Sequence, residues 1–114
     1  MPIEQEVRLY VRPDGVEPYA RWIDGLRDEP TRDRIEERIA RVRLGNFGDV
    51  RSVGGGVYEL RIPIGAGIRV YFGRLGRSIV ILLCGGDKRT QARDIRRAQL
   101  DWQDFRSRSH GSDL

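Results

Sequence analysis

Glu59, Arg61, Arg69 and Tyr71 are the residues of this chain whose types and spacing could do chemistry. Residues 57–64 alternate apolar and polar, residues 68–72 do so again, and Gly65-Ala66-Gly67 turns between them. This pattern predicts a β-hairpin. Side chains alternate faces along a strand, so Tyr58, Leu60, Ile62, Ile68, Val70 and Phe72 form the core face. Glu59, Arg61, Arg69 and Tyr71 then converge on the other face. Neighbours across such a hairpin lie about 5 Å apart directly and 7–8 Å diagonally. One reading is a surface ion pair worth under about 1 kcal/mol. The other is a surface that cleaves phosphodiesters. A carboxylate can take the proton of an RNA 2′-OH. Arginines can hold the phosphate bidentately and stabilise the charge that grows in the transition state. Tyr71 can stack on a base or steer the phosphate. The second reading accounts for the excess of arginine over acid on that face.

More cations follow. Arg89, Arg93, Arg96 and Arg97 cluster at i+3, i+4 and i+7 spacings, opposite the apolar stripe of the last predicted helix. They form either a solvated face, with Arg97 paired to Asp101, or a surface that tracks phosphates. The segment 84–91, CGGDKRTQ, lacks the GxxxxGK[ST] spacing of a P-loop. It does bring Lys88, Arg89 and a helix N-terminus together, which suits an anion. Asp87 serves equally well as the N-cap. One Cys, one His and no HxxxH or CxxC spacing leave no metal-ligand set, and no cofactor is called for. His110 sits in a polar tail and takes no role. A Ser-His-Asp triad has no support.

The elements that must position these residues can be read from pattern. Residues 6–11 alternate as a first strand, and Arg12-Pro13-Asp14-Gly15 is a turn. Pro18 suits a first helical turn, and Tyr19, Trp22, Ile23 and Leu26 share a face. A second helix from about Thr31 carries Ile35, Ile39 and Val42 and stops at Gly45. The two helices are expected to form a hairpin. Residues 57–64, 68–72 and 79–84 form an antiparallel meander, broken by Gly85-Gly86. A last helix from about Lys88 to Arg106 buries Ala92, Ile95, Ala98, Trp102 and Phe105. The expected fold is α+β, ordered β-α-α-β-β-β-α, with a small antiparallel sheet packed on helices. One domain spans 1–107, and 108–114 is a frayed polar tail.

Composition narrows the class. The chain has 114 residues, 39% hydrophobic and 33% charged, which fits one globular domain with a real core. No apolar run approaches the ~20 residues of a spanning helix, so no membrane role is expected. The N-terminal stretch has neither a basic head nor an apolar core, so no signal peptide is expected. The single cysteine, Cys84, has no intramolecular disulfide partner and points to the cytoplasm. Net charge is +4, and all but one of the 21 basic residues are Arg. The positive charge is concentrated in residues 61–97, with nine basic residues against two acidic. Such an excess attracts polyanions, most simply nucleic acid.

The stretch 56–105, GVYELRIPIGAGIRVYFGRLGRSIVILLCGGDKRTQARDIRRAQLDWQDF, resembles the RelE/ParE superfamily of toxins from type II toxin–antitoxin modules. The nearest branch is the HigB-like addiction module killer proteins. The YELRI…GIRVYF hairpin, the LLCGGDK run and the start of the last helix carry the likeness. The resemblance implies a cytoplasmic toxin, neutralised in a hetero-oligomer by a cognate antitoxin, a small helix-turn-helix protein. It implies a metal-independent endoribonuclease that cuts mRNA on the ribosome by 2′-OH attack and so inhibits translation. The family's catalytic positions map to Glu59, Arg61, Arg69 and Lys88, with Gln91 beside them. Glu59 is the candidate base. Tyr71, Gln91, Arg89, Arg93, Arg96 and Arg97 are candidates for RNA binding. Two other readings stay open: a non-enzymatic inhibitor of DNA gyrase, as in the ParE branch, and a plain RNA-binding module.

Overall fold

The computed structural model describes residues 2–110. Five strands form one sheet: β1 (Glu6–Leu9), β2 (Val50–Gly54), β3 (Val57–Ile62), β4 (Ile68–Leu75) and β5 (Ile79–Gly86), in the spatial order β1-β5-β4-β3-β2. The helices are α1 (Pro18–Gly25), α2 (Glu29–Arg43) and α3 (Gln91–His110), the last entered through a 3₁₀ turn at Lys88–Thr90. The class is α+β. The β3-β4-β5 meander is antiparallel, with Glu59 opposite Tyr71 and Arg61 opposite Arg69.

Two points of the expected topology need correction. The sheet is mixed, because β1 pairs parallel with β5. The chain leaves β1, crosses one face of the sheet through α1 and α2, and returns at the far edge as β2. The second correction is β2 itself, an edge strand absent from the expected order. Its exposed, polar sequence VRSVG carries little apolar signal. The β2–β3 turn is nonetheless written in the glycines. Gly55 and Gly56 both have positive φ (63° and 82°), as a two-residue type I′ hairpin turn requires.

The sheet is covered on both sides, which corrects a third expectation. Tyr58, Leu60, Ile62, Ile68, Val70 and Phe72 do share one face, where Tyr19, Ile35, Ile39 and Val42 of α1 and α2 pack on them. The opposite face is not open to water. There Val57, Tyr71, Ile81 and Leu83 meet Ala98 and Trp102 of α3 in a second core. The continuous apolar run of β5 is what a strand buried on both faces looks like. Tyr10 also belongs to this second core, at 1% exposure, whereas its apolar neighbours Leu9 and Val11 are exposed. Along α3 the buried residues are Asp94, Ala98, Asp101 and Trp102, and the expected core residue Ala92 is exposed. α3 stays helical to His110, past the expected stop at Arg106, and 111–114 lie outside the described residues.

Each face presses a tryptophan onto a glycine. A Cβ on Gly73 would stand 2.3 Å from the Trp102 ring, and one on Gly85 would stand 2.3 Å from the Trp22 ring. The Trp102 ring is held among Val57, Tyr71 and Ala98 of the second core. Gly73→Ala is therefore expected to lose about 1–3 kcal/mol of stability through overpacking. Gly25→Ala, where a Cβ meets nothing within 4 Å, should be close to neutral. Urea unfolding of the two variants checks this. Equal midpoints would mean that the Trp102 contact is loose.

Candidate functional site

The middle of β3 positions the site. Glu59 lies between two paired strands, with Arg51 of β2 directly opposite on one side and Tyr71 of β4 on the other. Arg61 stands two residues along on the same face, and Arg69 faces Arg61 across the β3–β4 pairing. The exit of β3 is held from outside by Arg38 of α2, which donates to the Arg61 carbonyl oxygen at 3.0 Å and to that of Phe47 at 2.6 Å.

The carboxylate of Glu59 is at the centre and fully buried. Its Oε1 accepts from Arg51 Nε and from Arg61 Nε, both at 3.1 Å. Its Oε2 accepts from Gln91 Nε2 at 2.8 Å and from the Tyr71 hydroxyl at 3.1 Å. Arg69 Nε stands 3.6 Å from Oε2. Burial by itself pushes the Glu59 carboxyl up. Hydrogen bonds from Gln91, Arg61 and Tyr71, with the Arg51 charge, outweigh that and hold it below the ordinary value. Burial pushes the Tyr71 phenol up, and the Glu59 charge adds to it.

This geometry corrects the expected roles of two residues. Glu59 was expected on an open face as a proton acceptor. It is shielded from solvent, already accepts four hydrogen bonds, and is held ionised at low basicity, so it is a poor base for a substrate hydroxyl. Tyr71 is fully buried beneath the arginines and has no open ring on which a base could stack. Both positions are buried because α3 covers the face that one hairpin alone would leave open.

The arginines are placed differently. Arg51 and Arg61 spend only Nε on Glu59, and their side chains are 53% and 37% exposed. The terminal nitrogens of both have no protein partner among the described residues. Arg69 is 9% exposed. Its Nη1 donates to the Gly67 carbonyl oxygen at 2.7 Å, while its buried Nε has no hydrogen-bond partner. Three guanidiniums around one carboxylate leave a local surplus of two positive charges. Lys88 is exposed beside them. Its backbone N–H donates to the Ala66 carbonyl oxygen at 3.3 Å, so the β3–β4 loop that caps Arg69 is tied to the β5–α3 junction.

Of the arginine candidates in the 3₁₀ turn and α3, none shares an ion pair with the cluster. Arg89 pairs with Asp87 at 3.4 Å, Arg93 with Asp94 at 3.6 Å and Arg97 with Asp101 at 3.6 Å. Arg96 is exposed. These residues line the outer side of the helix whose first residue, Gln91, reaches Glu59. Asp87 takes its expected capping place, accepting from the backbone N–H groups of Arg89 and Thr90. Arg51 is the member that the sequence reading missed. A two-residue turn at Gly55-Gly56 alone would set Ser52 opposite Glu59; the bulge between Ser52 and Gly54 shifts the pairing by one residue and brings Arg51 there instead. Among the described residues, no group of three or more His, Cys, Asp or Glu could hold a metal ion. No helix among them is long and apolar enough to cross a membrane.

The arrangement has the charge and the free donors to hold an anion with at least two oxygens. Two half-exposed forks share an anchor that fixes their separation and orientation, with a third guanidinium behind them. A phosphodiester is one such anion, since each of its two unesterified oxygens can take a fork.

No protein-family model matches the chain. The chain is similar to an uncharacterized protein of Haemophilus influenzae, 48% identical over 79 residues that cover 69% of this chain and 80% of that protein.

Proposed function

This chain belongs to the same family as the uncharacterized Haemophilus influenzae protein, and we propose that it is a RelE/ParE-like toxin that cleaves mRNA on the ribosome. The observation that carries the reading is the set of three arginines around buried Glu59, with the terminal nitrogens of Arg51 and Arg61 unspent. In this reaction the substrate 2′-oxygen bonds to phosphorus, and the bond from phosphorus to the 5′-oxygen breaks. The products are a 2′,3′-cyclic phosphate and a 5′-hydroxyl. Arg51 and Arg61 hold the non-bridging oxygens and stabilise the charge that grows on them. Arg69 supports them from behind. Lys88, exposed at the rim, gives a proton to the leaving 5′-oxygen, and the 2′-OH proton passes to solvent. Glu59 is a positioning residue: it aims the forks and reacts with nothing. The exposed arginines of α3 extend the path for the RNA backbone. The partner that silences such a toxin is a cytoplasmic antitoxin whose acidic segment covers these arginines.

A second reading follows from the burial of Glu59. A site without a basic carboxylate suits an RNA-binding module that holds the phosphate and cuts nothing. The two separate on one experiment. The chain is expressed alone, 5′ ends of cellular mRNA are mapped, and the new 3′ ends are tested for cyclic phosphate. The toxin reading expects growth arrest with new cyclic-phosphate ends inside reading frames. Intact mRNA that co-purifies with the chain favours the binding module. Failure of supercoiling with mRNA intact favours a gyrase inhibitor.

A further inference from the structure

A well-formed cleft lies away from the arginine cluster. It lies at the other end of β3 and β4, encloses about 590 Å³, and is lined by residues that the proposed function leaves unused. Arg74, Arg77 and Arg106 line it, and no carboxylate does. Arg77 and Arg106 are exposed. The Arg74 guanidinium lies over the Phe47 ring, 4.7 Å from its centroid, and Phe47 in turn stacks on Phe72. This makes a flat platform, cationic above and aromatic below, on one wall.

We propose that this cleft binds a nucleoside monophosphate. The phosphate sits between Arg77 and Arg106, two guanidiniums without an ion pair among the described residues, in a cleft whose lining holds no carboxylate. The base lies on the Arg74–Phe47 platform, since planar bases stack both on aromatic rings and on guanidinium planes. A bare phosphate would leave the platform idle, and an uncharged aromatic would leave the arginines idle. The volume lies within the ~300–1,000 Å³ of small-ligand sites. The site shares no residue with the Arg51–Arg61–Arg69 cluster, so it stands or falls independently of the proposed function.

The two tryptophans provide the test, because only Trp102 lines the cleft, while Trp22 packs on the opposite face of the sheet. Adenosine and guanosine 5′-monophosphates are titrated into ¹⁵N-labelled full chain while both indole N–H signals are followed. The Trp102 signal should move saturably and the Trp22 signal should stay. Inorganic phosphate and adenosine should each bind about tenfold more weakly or worse. The double variant R77A/R106A should lose about tenfold or more in affinity with its melting temperature unchanged. A still Trp102 signal at millimolar nucleotide overturns the proposal. So does inorganic phosphate that binds as well as the nucleotide, or undiminished affinity in the double variant.

Discussion

Arg61→Ala should lower mRNA cleavage by roughly 10²–10³-fold, the cost of removing one group aimed at charge that develops in a transition state. The fold should survive the change. The Arg61 side chain is 37% exposed, and Glu59 keeps Arg51, Gln91 and Tyr71 as hydrogen-bond donors with Arg69 nearby. Arg61→Lys should recover only part of the loss, because Lys brings one point charge where Arg brings a fork that holds both Glu59 and a phosphate oxygen. Arg69→Ala is a less clean probe than its surface placement by sequence would suggest. At 9% exposure, and bonded to the Gly67 carbonyl, Arg69 is part of the fold. Its removal would mix loss of activity with loss of stability. The measurement is cleavage of a ribosome-bound message by purified Arg61 variants, with thermal melting alongside. Full activity in Arg61→Ala, with an unchanged melting temperature, would take Arg61 out of the site.

The meander was legible because period-two alternation is a strong signal and glycine turns separate its strands, whereas the cross-strand register was not, since pairing also depends on bulges such as the one at Tyr71/Phe72. The alternation alone placed Glu59, Arg61, Arg69 and Tyr71 correctly together. Their depth was not legible. Alternation shows which side chains share a face, but not whether another element covers it. The cover here is α3, whose contact stripe includes Asp94 and Asp101. These acids read as solvated in a sequence, although Asp94 accepts from the Thr90 hydroxyl and Asp101 stands near Arg97 and Arg12. A buried acid with partners defeats any rule that sorts helix faces by hydropathy. Arg51 was missed for a related reason. An edge strand needs only one buried side, and β2 satisfies its backbone by pairing with β3, so its side chains need carry no apolar pattern. The two-sided burial did leave one trace in the sequence, the unbroken apolar run of β5.

Glu59→Ala should be the most damaging single change to stability, at about 3–5 kcal/mol, the usual result of removing one partner from a buried charge cluster. Arg51 and Arg61 can swing towards water when their anchor is gone. Arg69 and Tyr71 cannot, because they are closed in at 9% and 0% exposure. A nearly buried guanidinium and a phenol would then lack their acceptor, beside an empty volume. Glu59→Gln fills the volume but turns an amide N–H₂ towards donors, so it should still cost about 1–3 kcal/mol. The pH dependence separates charge from packing. The Glu59 carboxyl is held below its ordinary value of 4.5 in the fold, so on acidification the unfolded chain takes up this proton first. The stability that ionised Glu59 contributes is whole above about pH 4.5 and drains away as pH falls through the lower folded value. Glu59→Gln has no such proton to take up. The stability gap between wild type and Glu59→Gln should therefore be constant from neutral pH to about pH 5 and close below about pH 4. Urea unfolding of wild type, Gln and Ala variants across that range decides the matter. A gap that persists unchanged at low pH would mean that shape, and not the carboxylate charge, is what Glu59 supplies to the arginines.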